Sequence, residues 1–222
     1  MLLELGRLHP QRNLPIPVDI TPQQTIFALE EVLQAALSFP KGSAAGPSGF
    51  RPSHLREALL CGASEVESSV LNTLTDFVNL CASGTLPVEI TQVVLAATLI
   101  PFRKNSARDV FIVGGVRPIA SGETLRRLVA KCVLKKVQDK FKAIVTPLQC
   151  GVAVPDAINS ISFTMLRYYE MLVKEPQLGL MQLDLSNAFN SVDRSAISRI
   201  VCEKLPEASA WMEWVLCAAA PL

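Results

Sequence analysis

The hydrophobic positions of this chain follow a helical period over most of its length. Apolar residues that recur every three or four positions predict a helix that begins at Pro22, with Thr21 as its cap, and ends at Pro40. The same period predicts further helices over residues 52–60, 65–82, 123–143, 156–173, 194–204 and 207–220, and a helical turn over 87–93.

Short apolar runs predict strands between these helices. Residues 95–102 and 115–120 are expected to form two buried strands of a hairpin, joined by a long loop. A third apolar run, 180–185, carries a single acid, Asp184. Because helices and strands mix without strict alternation, we expect an α+β fold.

Charge is distributed unevenly along the chain. The formal net charge is +1, so overall charge does not indicate a nucleic-acid partner. The predicted helix within 122–142 nevertheless carries seven lysines and arginines against two acids. Such a stretch is either a track for a phosphate backbone or an ordinary solvated face.

Cysteine usage and hydropathy indicate the compartment. The six cysteines form no CxxC pair, so a zinc site is not expected, and scattered thiols suit a reducing compartment. The first ten residues include Glu4 and Arg7, unlike a signal peptide, and the longest apolar run, 93–100, is too short to span a bilayer. We therefore expect an intracellular protein, cytoplasmic or nuclear, without a membrane partner.

Asp184 is the most informative polar residue. An acid within an apolar strand is costly unless it is paired or holds a metal. Considered alone, Asp184 equally fits an acid that caps the turn after the strand. The blocks of sequence around it decide between these two interpretations.

Four blocks in the chain resemble the N-terminal part of a non-LTR retrotransposon reverse transcriptase, in that family's order. KGSAAGPSGFRPSHL at 41–55 is similar to the loop and helix ahead of the fingers. LIPFRK at 99–104 and GVRPI at 115–119 resemble the paired fingers strands, and 122–131 fits the helix that follows them.

The remaining blocks lie on either side of the predicted helix 156–173. Gln149-Cys-Gly151 resembles the template-side loop before motif A, and Asp184 with Phe189 five residues later resembles motif A itself. The resemblance covers about residues 38–205 and implies an incomplete right-hand polymerase fold. Its parts would be an N-terminal extension with a helix (1–40), a fingers region (41–177) and a first palm segment (178–222).

The resemblance also implies a chemistry. Asp184 would be a catalytic carboxylate that binds Mg²⁺ or Mn²⁺, with the Leu185 carbonyl as a further ligand. Arg117 and Lys104 would bind the phosphates of the incoming dNTP, with Arg103 as the alternative to Lys104. Outside the family context, these cations would be ordinary side chains of an exposed hairpin.

Contacts to the sugar and to the nucleic acid are implied in the same way. Phe189 would pack beneath the deoxyribose and leave no room for a 2′-hydroxyl; the alternative is a core phenylalanine. Gln149 and Gly151 would approach the template, and Arg127 and Lys131 would contact phosphates. The partners would be an RNA template, a DNA primer and dNTP.

The sequence departs from the family in three respects. Ser48 stands where the family usually has Asp in Gly-Pro-Asp-Gly. The span 105–113 exceeds the usual tight turn, which leaves the register of Lys104 against Arg117 open. No Asp-Asp pair follows Asp184, so the remaining palm and the thumb would be intramolecular partners in an intact parent, and we expect this chain alone to be inactive.

Three functions therefore stay open. The first is a partial reverse transcriptase. The second is a non-catalytic, retrotransposon-derived remnant that binds nucleic acid or a protein. The third is an unrelated helical interaction protein, which requires the ordered blocks to be a coincidence. A hairpin made by 95–103 and 115–120, together with a strand that ends near Asp184, would favour the first.

Overall fold

The computed structural model describes residues 22–62, 64–103, 116–151, 154–175, 177–185, 188 and 191–218. In chain order, its elements are α1 (Leu29–Leu37), α2 (Pro52–Leu59), α3 (Ser64–Ala82), α4 (Val88–Leu95), β1 (Ala97–Arg103), β2 (Val116–Gly122), α5 (Thr124–Val145), α6 (Ala157–Lys174), α7 (Arg194–Lys204), a 3₁₀ turn (Pro206–Ala208) and α8 (Ser209–Cys217). Most described residues are helical, and β1 and β2 form a two-stranded sheet, which confirms the α+β class.

The described residues divide into two compact units. The first unit comprises those within Met1–Val137 and Phe189–Leu222, and the second unit comprises those within Gln138–Ala188. The divisions at residues 40 and 177 expected from the sequence follow family motifs rather than compactness, and they stay a prediction.

The core of the first unit is formed by one face of each of three helices. Helix α1 contributes Val32, α3 contributes Val78, and α5 contributes Leu128 and Val129, all fully buried. On each of these helices the buried residues recur every three or four positions, which is the spacing of a helix that buries one apolar stripe. Burial raises the pKa of the Cys81 thiol to about 12, so this thiol stays protonated and packs as a small apolar group.

Two tryptophans of α8 anchor the C-terminal part of the first unit. The ring centroids of Trp211 and Trp214 are 5.2 Å apart. The buried Trp214 indole donates its Nε1–H to Thr91 Oγ1 at 3.1 Å. Gly84, at φ 72°, ends α3 as predicted, and a Cβ there would lie 3.0 Å from the Ala210 carbonyl oxygen. The glycine therefore allows α8 to approach the end of α3 closely.

The predicted start of the first helix at Pro22 is wrong, because α1 begins only at Leu29. The preceding residues are held in a non-helical conformation by side chains that are distant in sequence. The N–H of Gln23 donates to Ser209 Oγ at 2.8 Å. The N–H of Phe27 donates to Asn79 Oδ1 at 2.7 Å, and Asn79 Nδ2 donates back to the Phe27 carbonyl at 3.1 Å. These bonds replace the ones that a helix would have formed.

The predicted pairing of residues 95–103 with 115–120 is confirmed, but the expected burial of the first strand is wrong, because Phe102 is 51% exposed. Strands β1 and β2 run antiparallel, with Leu99 opposite Ala120 and Pro101 opposite Pro118. Both strands of a two-stranded sheet are edge strands, which is where proline is tolerated, because its missing N–H removes no interior ladder bond.

The predicted strand over 180–185 is wrong. The described residues there have no helical or strand structure, and β1 and β2 are the only strands that pair within the described part of the chain. The side chains of Met181, Leu183 and Leu185 are 78%, 76% and 75% exposed. An extended segment becomes a strand only by pairing with another backbone, and the described residues do not supply one here.

The double contact between Asn79 and Phe27 generates a stability prediction. Asn79→Ala leaves both the N–H and the carbonyl of Phe27 without their partner, and we expect it to lower the free energy of unfolding by about 2 kcal/mol. The matched control is Asn72→Ala on the exposed face of the same helix, with an expected change below about 0.5 kcal/mol. Urea unfolding followed by circular dichroism measures both, and equal effects would contradict the prediction.

Candidate functional site

The loop within the block 41–55 is bound by hydrogen bonds to the junction between β2 and α5. The N–H of Ser48 donates to Glu123 Oε1 and its hydroxyl to Glu123 Oε2, both at 2.7 Å. Ser121 Oγ donates to the Ala45 carbonyl at 2.9 Å. We call the contacts between residues 44–50 and 121–127 the clasp. It joins two blocks that lie 75 positions apart in sequence.

Gly46 is what allows the clasp to close. A Cβ at this position would lie 2.6 Å from Glu123 Cα and 2.9 Å from the Gly122 carbonyl carbon, so no larger residue fits without a backbone shift. Thr124 Oγ1 donates to the Phe50 carbonyl and closes the far end of the loop. Gly46, Ser48 and Thr124 therefore hold the two blocks together in the clasp.

The clasp also gives a physical reason for Ser48. Glu123 is only 7% exposed, and both of its oxygens accept hydrogen bonds from Ser48. An aspartate at position 48 would bring a second carboxylate against this buried acid. The serine in place of the usual aspartate therefore matches the glutamate that it contacts.

The candidate phosphate-binding cations are placed only in part. Arg117 lies on β2 opposite Phe102, and Arg103 ends β1 opposite Val116. Lys104 lies outside the described residues. The joint role of Arg117 and Lys104 at a triphosphate stays a prediction.

The two cations expected to contact nucleic acid lie one helical turn apart on α5 and flank the same aromatic ring. The guanidinium of Arg127 is 5.3 Å from the Phe39 centroid, and the ammonium of Lys131 is 5.0 Å from it. Arg127 also donates to the Ala44 carbonyl at 2.7 Å, and Lys131 donates to Ser38 Oγ at 3.0 Å. Since a guanidinium has five N–H donors and an ammonium three, both retain donors for a ligand.

Other cations of α5 have structural partners that the sequence did not reveal. Lys136 pairs with Glu31 of α1 at 3.1 Å, and Lys135 donates to Gln34. The Ala28 N–H and then Lys136 hold the pKa of the Glu31 carboxyl below its usual value. Arg126 donates to the Leu95 carbonyl at 3.2 Å, and burial lowers its pKa.

The candidate template-side residues form a small turn in the second unit. The N–H of Gly151 donates to Gln149 Oε1 at 2.6 Å. A Cβ at residue 151 would lie 3.1 Å from that oxygen, which is a tight contact. The side-chain oxygen of Gln149 therefore accepts a hydrogen bond within its own turn. Its side-chain amide nitrogen would be the group that meets a base or a sugar.

Asp184, also in the second unit, is exposed on the segment 178–185, which has no helical or strand structure. The start of this segment is tied to α6, since Tyr168 Oη donates to the Gly179 carbonyl at 3.0 Å. Leu185 is exposed as well, and Phe189 lies outside the described residues.

The fit of a magnesium ion to this segment is incomplete. Within the described ranges, no group of three histidine, cysteine, aspartate or glutamate side chains could hold a metal ion. Mg²⁺ requires octahedral oxygen coordination, and the Asp184 carboxylate with the Leu185 carbonyl supplies only part of it. The described residues therefore do not constitute a metal site on their own.

Comparisons with known proteins leave the family open. No protein-family model matches the chain, and a search of curated proteins finds no match. None of the helices in the described ranges is long and apolar enough to cross a membrane. Any assignment of family therefore depends on the motifs and on how the fold arranges them.

The clasp generates a second stability prediction. Ser48→Asp sets a carboxylate against Glu123, and we expect it to lower the free energy of unfolding by about 2 kcal/mol, more than Ser48→Ala does. In the double variant Ser48→Asp with Glu123→Gln, the amide donates to the new carboxylate and should restore most of that loss.

Urea unfolding of the four proteins of this double-mutant cycle measures the coupling. Additive effects of the two substitutions would show that residues 48 and 123 do not interact, and would contradict the contact.

Proposed function

We propose that this chain is the fingers and first palm segment of a non-LTR-type reverse transcriptase, an RNA-directed DNA polymerase. The observation that carries the proposal is the clasp. The loop 41–49 and the junction 121–127 resemble this family separately, and the fold binds them to each other next to the hairpin.

The hairpin gives independent support. The resemblance required residues near 99–104 to pair with those near 115–119, and β1 pairs with β2 across those positions. Arg117 is therefore on a strand, as a residue of a phosphate-binding fingers ribbon would be. We assign it to the incoming triphosphate together with Lys104, and Phe189 to the sugar.

The only contribution to catalysis that we propose for Asp184 is one carboxylate. A divalent ion, Mg²⁺ or Mn²⁺, would need further carboxylates beside it, and the described residues form no group of three histidine, cysteine, aspartate or glutamate side chains that could hold a metal ion. We therefore assign no catalytic step to this chain by itself. In an intact enzyme, the remaining ligands would come from the palm segment that carries the second Asp motif.

A non-catalytic remnant that binds nucleic acid is the second candidate function. The observation that favours it is that the two candidate nucleic-acid cations are held in place, whereas the candidate catalytic acid is not. Arg127 and Lys131 are held in place by hydrogen bonds and an aromatic ring, whereas Asp184 is exposed on an unpaired segment. Binding without synthesis would be the signature of this second function.

Primer extension by the isolated chain tests its expected inactivity. We expect the purified chain 1–222 not to extend a DNA primer on an RNA template with Mg²⁺ or Mn²⁺, because a single carboxylate cannot hold two metal ions. Incorporation of dNTP that is lost in Asp184→Asn would refute the inactivity of the isolated chain.

In a longer protein that contains this segment, we expect Asp184→Asn to reduce incorporation to background. The matched control is Asp193→Asn: Asp193 caps α7 by accepting from the Ser195 N–H at 2.8 Å, and asparagine is an equally good cap. Full activity in the Asp184→Asn protein would overturn the proposed function.

A further inference from the structure

We propose that a basic groove on the first unit binds the backbone of single-stranded nucleic acid. We define the basic groove as the cleft between residues 39–43 and α5. The choice of ligand rests on the proposed function, whereas the site itself is inferred from its own geometry and charge.

The groove has two walls of different origin. Phe39, Pro40 and Ser43 form one wall, and Arg127, Lys131 and Leu134 line the α5 side, around a volume of about 330 Å³. The Phe39 ring is buried at 5% exposure and therefore serves as a floor rather than as a stacking platform. Leu134 is 58% exposed at the rim, where it offers apolar surface to a sugar or a base.

The charged residues that line the groove are all cations. No acid is among its lining residues, and Arg127 and Lys131 point their charged groups toward the ring that forms its floor. Lys41 lies between two lining positions, is exposed, and has no hydrogen bond or ion pair with the described residues. Lys135 adds a further exposed cation one turn along the helix. A polyanion in the groove therefore meets cations and no carboxylate among the lining residues.

The spacing of the cations favours an extended ligand. Arg127, Lys131 and Lys135 follow one another at intervals of four, so their side chains start about 6 Å apart along one side of α5. A row of this kind offers successive positive charges to a chain of phosphates.

The cations are partly oriented before any ligand arrives. The Ala44 carbonyl and Ser38 Oγ each accept one hydrogen bond from them, and the Phe39 ring attracts both. Fixing these long side chains in the free protein lowers the entropy lost on binding. Their remaining donors are the groups that would meet phosphate oxygens.

Equilibrium binding tests the groove with the whole chain. The probe is fluorescein-labelled oligothymidylate of about twenty nucleotides, and anisotropy is recorded between about 50 and 200 mM salt. We expect the variant with both Lys41→Gln and Lys131→Gln to bind more weakly. Its slope of log affinity against log salt should shrink by about 0.7 for each lost phosphate contact.

Lys136→Gln is the matched control, because it removes one positive charge from α5 outside the groove. We expect its salt slope to equal that of the parent chain. A slope reduced in Lys136→Gln as much as in the groove variant would mean that general charge, not the groove, governs binding, and would overturn the proposal.

A second pair of variants tests the site without touching a cation. Leu134→Glu places a carboxylate at the groove rim, and we expect it to weaken binding at least as much as the double lysine variant. Leu80→Glu makes the same change at a residue 47% exposed on α3 and should bind like the parent chain. Thermal unfolding of all variants checks that they fold.

Each of the remaining outcomes either supports or overturns the proposed groove. Oligonucleotide binding that is equal in parent and groove variants, or no binding even at low salt, overturns the groove. Equal binding to vesicles containing phosphatidylserine, with the same sensitivity to Leu134→Glu, assigns the groove to lipid headgroups and overturns the nucleic-acid ligand. If the groove variants weaken binding but Asp184→Asn leaves synthesis intact in the longer protein, the proposed function fails and the groove stands.

Discussion

A buried carboxylate holds together the part of the first unit on which its candidate sites depend. Glu123 carries charge into a position that is 7% exposed, which costs free energy unless its oxygens are hydrogen-bonded. Ser48 supplies both bonds from a loop distant in sequence. Because the loop cannot leave without stranding the acid, the end of β2 and the start of α5 are fixed by residues that belong to neither.

Local sequence predicted what local forces determine. The periods of α2, α3, α5 and α7 were visible because each helix buries one stripe of its own residues, and the hairpin was predicted from two short apolar runs. The non-helical conformation of 22–28 was not predictable, because its cause is Asn79 and Ser209, which bind that backbone from elsewhere in the chain. The strand predicted over 180–185 is wrong for a different reason. The composition of this apolar run favours a strand, but a strand also needs another strand to pair with.

The basic stretch of α5 shows the same limit for the candidate site. Seven cations within 122–142 are visible in the sequence, but how each is used depends on α1 and the loop that follows it. Lys136 pairs with Glu31 and Arg126 binds a backbone carbonyl, so these two stabilise the fold. The resemblance implied that Arg127 and Lys131 contact phosphates, but the ring of Phe39 near both cations, which forms the floor of the groove, could not be inferred from the charge pattern.

Binding and chemistry therefore place different demands on this chain. A polyanion site needs only cations held in a row, and α5 with residues 39–43 provides that row through contacts within the first unit. A nucleotidyl-transfer site needs several carboxylates converging on metal ions, and the described residues contain no group of three or more side chains that could hold a metal ion. Since the cations are oriented by contacts that do not involve Asp184, the proposed nucleic-acid binding does not depend on that residue. Catalysis would in turn require carboxylates that this part of the fold does not position.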